Sequence, residues 1–219
     1  MQWMRAAFAA ITLGACVHAH SAGLERLEVG SREARAFVHQ VVARHDSRGL
    51  PFAVVDKRDA KLYLFDRRGR LQAATSVLVG QAPGDAIAEN VGLHAQQGFV
   101  PFEERTTPAG RFVVEPGVNA DGEHVLWLDW NAAFAIHRLR PGKAQQARLV
   151  RFASDRAEDK RVSWGCVIVP VAFYTGTLQD WASRGKAIVY VMPEHSGVAP
   201  DLARDRTQRA DAESTTSPG

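Results

Sequence analysis

Apolar residues recur at Ala34, Phe37, Val38, Val41 and Val42, the i, i+3, i+4, i+7, i+8 rhythm of one helix face. Ser31 precedes them as a candidate N-cap, and Gly49 and Pro51 stop the pattern, so a helix is expected over residues 31–45. The rhythm then changes. Residues 52–56, 61–66 and 70–79 are β-rich runs, joined by short connections at 57–60 and 67–69 that suit hairpins. Further strands are expected over 111–115, 124–129, 134–139, 166–169 and 187–192, with one more helix from Pro170, well placed in a first turn, to about residue 183. Strands in series with few helices between them predict a mainly β fold, a largely antiparallel sandwich or barrel. Residues 81–105 show no clean period and are longer than a simple connection. Segments of that kind serve as lids or binding loops, or are plain surface excursions.

The two ends read differently from the middle. Arg5 is the only charge in residues 1–22, an apolar run follows it, and small residues then stand at cleavage positions, the pattern of an export signal. The run is too short to span a bilayer, which takes about 20 apolar residues. Within it, Leu13-Gly14-Ala15-Cys16 resembles a bacterial lipobox. Lipidation at Cys16 would hold the protein on a membrane, and plain cleavage would release it into the periplasm. Residues 194–219 contain no Phe, Trp or Tyr and carry three Arg against five Asp or Glu, so a solvated tail is expected there. The division is therefore a signal over 1–22, a helical lead over 23–49, a main folded domain over 50–193, and the tail over 194–219.

With 46% hydrophobic and 23% charged residues, 18 Gly and 10 Pro, the composition excludes collagen-like and wholly disordered chains. The formal charge is +3. The basic residues are spread out rather than clustered with aromatics, so no nucleic-acid partner is indicated. No His-Glu-x-x-His, no Cys-x-x-Cys, no phosphate loop and no dinucleotide fingerprint is present, so neither metal nor cofactor is called for.

Of two cysteines, only Cys166 lies in the expected domain. An unpaired cysteine is in general a buried, inert thiol. Here Ser163-Trp164-Gly165 stands just before it, and a glycine lets backbone N–H groups approach a substrate carbonyl, the material of an oxyanion hole. Lys160 and Arg161 lie upstream, where positive charge favours a thiolate. A cysteine nucleophile needs a base. His137, in the strand candidate before the cysteine loop, is the candidate, although a lone strand histidine is commonly just a satisfied half-buried residue.

Thr106-Thr107-Pro108-Ala109-Gly110-Arg111-Phe112, then Ala135-Ile136-His137, then Ser163-Trp164-Gly165-Cys166-Val167 resemble the successive motifs of YkuD-type L,D-transpeptidases. Residues 54–80 resemble the first hairpin of that family, and the likeness covers roughly residues 52–192. It implies a β-rich transpeptidase-like domain with Cys166 as nucleophile and His137 as base, acting on peptidoglycan stem peptides in the envelope. The implied reaction is acyl transfer at the L-centre of the third stem residue with release of D-alanine. The thioester is resolved by a stem-peptide amine, by a protein to be attached to the wall, or by water, as in an L,D-carboxypeptidase. Gly165 and Cys166, with Trp164, supply oxyanion donors in this reading, Ser163 positions, and Arg138 and Arg161 are candidates for a substrate carboxylate. Trp164 stands where the family usually has histidine, Ile168 where it has Arg or Asn, and residues 140–161 form an expanded loop. A wall-binding protein without turnover is the other reading these departures leave open.

Overall fold

The computed structural model describes residues 28–195. The expected export signal with Cys16, and all but the first two residues of the expected tail, lie outside the described residues. Helix α1 (Arg32–Ala43) starts where Ser31 Oγ accepts the Ala34 N–H at 3.0 Å, and it turns Ala34, Phe37 and Val41 inward. The first strands are β1 (Phe52–Asp56), β2 (Lys61–Phe65), β3 (Leu71–Ser76), β4 (Val79–Gly80) and β5 (Gly110–Val113). They are followed by β6 (Glu115–Val118), β7 (His124–Asp129), β8 (Phe134–Arg138), β9 (Arg161–Ser163), β10 (Val167–Val169) and β11 (Ile188–Val191).

The strands form a five-stranded sheet ordered β3-β2-β1-β11-β5, a four-stranded sheet ordered β10-β8-β7-β6, and the small pair β4-β9. Hairpin neighbours are antiparallel, as the run of strands predicts. Each larger sheet also contains one parallel pair, β1 with β11 and β8 with β10, and β4-β9 is parallel too. Parallel neighbours need long crossovers, and so they tie together segments far apart in the chain.

The two larger apolar clusters pack between the three layers, and a third, smaller one gathers Leu78, Leu139 and Ile168. Between the sheets pack Val55, Leu64, Phe112, Leu126, Ile136 and Val189, with the Phe112 and Phe134 rings edge-on at 5.3 Å. On the outer face of the five-stranded sheet, α1 covers Val54, Tyr63, Phe65 and Tyr190. Central strands β1 and β11 are thus buried on both faces, which is why Phe52-Ala53-Val54-Val55 and Ile188-Val189-Tyr190-Val191 are unbroken rather than alternating. Arg111 is held on that outer side, Nε donating to Asp46 Oδ1 at 3.1 Å.

Among the strands, the run expected over 70–79 is split into β3 and β4, and β6 was not expected; three helical segments differ as well. The aperiodic interval carries a short helix α2 (Val91–Gln96) and a 3₁₀ turn (Phe102–Glu104). The expanded loop carries α3 (Gln145–Ala153), which buries none of its residues. The helix expected after Pro170 is broken into α4 (Val171–Phe173), a π-type turn (Tyr174–Leu178) and α5 (Gln179–Ser183). Its middle reads Thr175-Gly176-Thr177, three weak helix formers in a row.

One buried cation ties the periphery to this frame. Lys57, just after β1, is fully buried; its Nζ donates to Gly84 O at 2.6 Å, Asp85 Oδ1 at 2.7 Å and Thr107 O at 2.8 Å. Burial pushes its pKa below the ordinary lysine value, while Asp85 and Glu194 pull it back up. Glu194, first residue of the expected tail, belongs to this ion cluster: it lies 3.6 Å from Lys57 Nζ and accepts from Arg161 at 2.8 Å. The packed domain therefore extends past residue 193. Lys57→Ala leaves two carbonyls and part of Asp85 unpaired, and is expected to cost about 3 kcal/mol of unfolding free energy in a urea titration. A loss under about 0.5 kcal/mol, the scatter of surface substitutions, would show that the cluster does not hold the segment.

Candidate active site

The parallel pair β8-β10 sets His137 one strand away from the segment that Cys166 leads into. Ile136 aligns with Val167, and His137 with Ile168. Phe134, Ile136, Val167 and Val169 point into the core, so alternation puts His137 and Ile168 on the opposite face, and Cys166, two before Ile168, shares that parity. His137 Nδ1–H donates to Arg138 O at 2.8 Å. This bond fixes the tautomer and leaves Nε2 unprotonated, the nitrogen able to take a proton. Burial, reinforced by the charge of Arg140, lowers the His137 pKa to about 4. The imidazole is therefore neutral at pH 7.

The thiol is neutral at rest as well. Cys166 is half-buried, and its Sγ donates to Ala133 O at 3.4 Å. Burial pushes its pKa up, against a backbone N–H from Ala135 and the positive charge of Arg140. No hydrogen bond joins the sulfur to His137 in this state. Sequence position suggested Lys160 and Arg161 as the cations favouring a thiolate; the structure gives that part to Arg140. Lys160 is buried with Nζ 3.4 Å from Ser76 Oγ, and Arg161 pairs with Glu194. Arg138 pairs with Glu123 at 2.8 Å, and Arg140 Nε lies 2.9 Å from the same carboxylate.

The turn before the cysteine is held by two hydroxyls. Ser163 Oγ donates to Cys166 O at 2.7 Å and accepts the Gly165 N–H at 3.1 Å. Gly165 has φ +132°, and a Cβ there would sit 2.7 Å from Thr106 O, so only glycine passes. Thr107, buried, donates from Oγ1 to Gly165 O at 2.7 Å and accepts the Gly80 N–H at 2.8 Å. Thr107 carries a positioning role that sequence reasoning did not assign, although it stands inside the Thr-Thr-Pro motif.

A small cleft, with an enclosed volume of about 20 Å³, opens over this turn, lined among others by Cys166, Gly165, Trp164 and Ala133, by Val91 and Glu104 from the aperiodic interval, and by Thr106 and Pro108 just after it. Trp164 is 45% exposed, and the Arg105 guanidinium lies over its ring, 5.5 Å from the centroid. Arg105 is steadied by Val100 O at 2.8 Å and Gln81 Oε1 at 2.6 Å. Arg138, Arg161 and His137 are not among the cleft-lining residues. No group of three or more His, Cys, Asp or Glu able to hold a metal ion occurs among the described residues.

No family model matches the chain, and no curated protein does. Solved structures do. The chain is similar in structure to L,D-transpeptidases. An Enterococcus faecium L,D-transpeptidase mutant overlays with a TM-score of 0.36 and 16% identity, covering 65% of this chain and 49% of that one. The catalytic domain of an E. faecium L,D-transpeptidase overlays with a TM-score of 0.34 and 16% identity, covering 65% and 96%. A fused Zn-dependent amidase/peptidase/peptidoglycan-binding protein from Clostridium acetobutylicum reaches a TM-score of 0.37 at 12% identity, covering 71% and 61%. The chain spans about half the length of the first of these. Overlays this loose carry no argument about chemistry, which rests on the cleft itself.

Two outcomes are expected. Because the folded His137 pKa of about 4 lies below its ordinary 6.5, the unfolded chain binds the extra proton between those values. Stability from this group is thus lost as pH falls through 6.5 towards 4, by up to about 3 kcal/mol. His137→Asn is expected to flatten that part of the curve in urea titrations at pH 7 and 4.5; equal slopes for both proteins would refute the burial. Thr107→Val strands the Gly80 N–H and the Gly165 carbonyl, and is expected to destabilise by about 2 kcal/mol or more, against a near-zero change if the hydroxyl is idle.

Proposed function

We propose that this protein is an exported cysteine acyltransferase of the L,D-transpeptidase type, acting on peptidoglycan stem peptides. The observation that carries the reading is Cys166 in the cleft, behind a glycine-bearing turn and one strand from a neutral histidine. The motifs running from residue 106 to 167 supply the substrate class by resemblance. The N-terminal residue pattern supports export to the periplasm, with or without lipidation at Cys16.

Chemically, the thiol leaves Ala133 O, His137 Nε2 takes its proton, and Sγ attacks the carbonyl at the L-centre of the third stem residue. Two groups that are both neutral at rest call for general-base activation rather than a standing ion pair, and hydrogen bonds of this kind tighten only once substrate is bound. The imidazolium then protonates the departing D-alanine amine. The Gly165 N–H is occupied by Ser163 Oγ, which leaves the Trp164 and Cys166 amides to face the oxyanion. That narrows the set of three donors named from sequence. Arg140, the cation beside Cys166 and His137, favours the thiolate as it forms.

A second reading is a wall-binding protein without turnover. It is favoured by the raised thiol pKa and by Ile168, whose apolar side chain stands in register with His137. The two readings part on turnover. With a tetrapeptide-stem disaccharide, the intact masses of products are expected to show loss of one D-alanine, with or without a dimer, for the native chain and not for Cys166→Ala. His137→Ala is expected to slow this on the order of a hundredfold. Identical, unchanged substrate with all three proteins would favour the binding module.

A further inference from the structure

The cleft-lining residues include one carboxylate. Glu104, last residue of the 3₁₀ turn, lines the cleft together with Trp164, Gly165 and Cys166, and its lining neighbours Val91, Pro108, Ala132, Ala133 and Phe134 carry no charge. Among the described residues its carboxylate has no lysine or arginine within ion-pair distance. Its partner is His94 of α2, whose ring Nδ1 lies 2.7 Å from Oε2. A carboxylate offers about four acceptor sites, so one imidazole N–H orients it and leaves acceptor capacity to spare. The nearest arginine in sequence, Arg105, is engaged by Gln81, Val100 O and the Trp164 ring. A half-buried carboxylate held by an imidazole, with no lysine or arginine against it, favours a cationic ligand in a cleft with apolar walls.

We infer that Glu104, positioned by His94, is the ammonium-binding residue of this cleft, and that it selects a primary amine as the group resolving the Cys166 acyl-enzyme. The inference rests on the acyltransferase reading for its second half only; the ammonium subsite stands on the cleft geometry alone. The step balances. The bound ammonium passes one proton to the Glu104 carboxylate and becomes a neutral amine. Its nitrogen attacks the thioester carbonyl, the C–S bond breaks, the second amine proton passes through His137 to the leaving sulfur, and the products are an amide and the free thiol. The proton on Glu104 is then lost to water.

Glu104→Gln is the test, since glutamine keeps an oxygen acceptor for His94 and removes only the charge. The protein is titrated with ethylammonium chloride, with ethanol as the neutral match, while the amide resonances of Ala133, Gly165 and Cys166 are followed by NMR. Ethylammonium is expected to shift them in the native chain at least fivefold more than ethanol, and the difference is expected to vanish in Glu104→Gln. With the tetrapeptide-stem disaccharide, the dimer-to-hydrolysed ratio is expected to fall at least fivefold in Glu104→Gln and to stay unchanged in Glu103→Gln, which removes the same charge from an exposed neighbour. Equal shifts by ethanol and ethylammonium, equal shifts in both variants, or an equal fall for Glu103→Gln would overturn the assignment. Charge-dependent binding without any product would keep the ammonium subsite while the acyltransferase reading falls.

Discussion

The hydroxyl of Thr107 is the point through which the cleft is tied to the rest of the molecule. It accepts from Gly80 and donates to Gly165, so one buried side chain joins β4 to the turn that carries Cys166. The carbonyl of the same residue is gripped by Lys57, which also holds Gly84 and Asp85. A continuous set of hydrogen bonds therefore runs from the end of β1, through the segment bearing the cleft's outer wall, to the nucleophile's own loop. Each link is buried or partly buried, where an unpaired group costs far more than a made bond gains. The loop is held by polar satisfaction rather than by apolar packing, which suits a position whose far side must stay open to a ligand.

Electrostatics around the pair of chemical groups pull in two directions. Desolvation keeps both Cys166 and His137 uncharged, and Ile168 beside His137 adds to it by offering no polar partner. Arg140 opposes this for the sulfur and reinforces it for the imidazole, because a positive neighbour favours a thiolate and disfavours an imidazolium. Proton transfer between them creates one charge of each sign. Arg140 stabilises the anionic half directly, and Glu123, the carboxylate beside Arg140, helps the cationic half.

Local pattern carried some of this in the sequence and not the rest. The stripe Ala34, Phe37, Val41 predicts α1, because a helix that buries one face must repeat at 3.6 residues. The cysteine, its glycine and the strand histidine were legible for the same kind of reason, since each sits in a short motif. Helix α3 has no fully buried residue and meets an apolar cluster through partly buried Phe152, and one such contact does not mark a helix face. Edge strand β6 contains Pro116 and Gly117, which resemble a turn but are tolerated at a sheet edge. The parallel ladders join residues far apart, and no local rhythm encodes them. That also explains the misplaced cation: Arg161 is near Cys166 in the chain but turns to Glu194, whereas Arg140 reaches the sulfur only through the β8-β10 pairing. Thr107 and Glu104 acquire meaning only once the folded chain sets them against the cysteine turn.

The most direct measurement is the intact mass of the folded protein after exposure to a carbapenem, followed by peptide mapping. One adduct, located on Cys166 and absent from Cys166→Ala, is the predicted result, because a strained acyl donor needs only the nucleophile, its base and the oxyanion donors. An unmodified folded protein, whose thiol nevertheless alkylates once denatured, would contradict the claim that this cleft forms an acyl-enzyme.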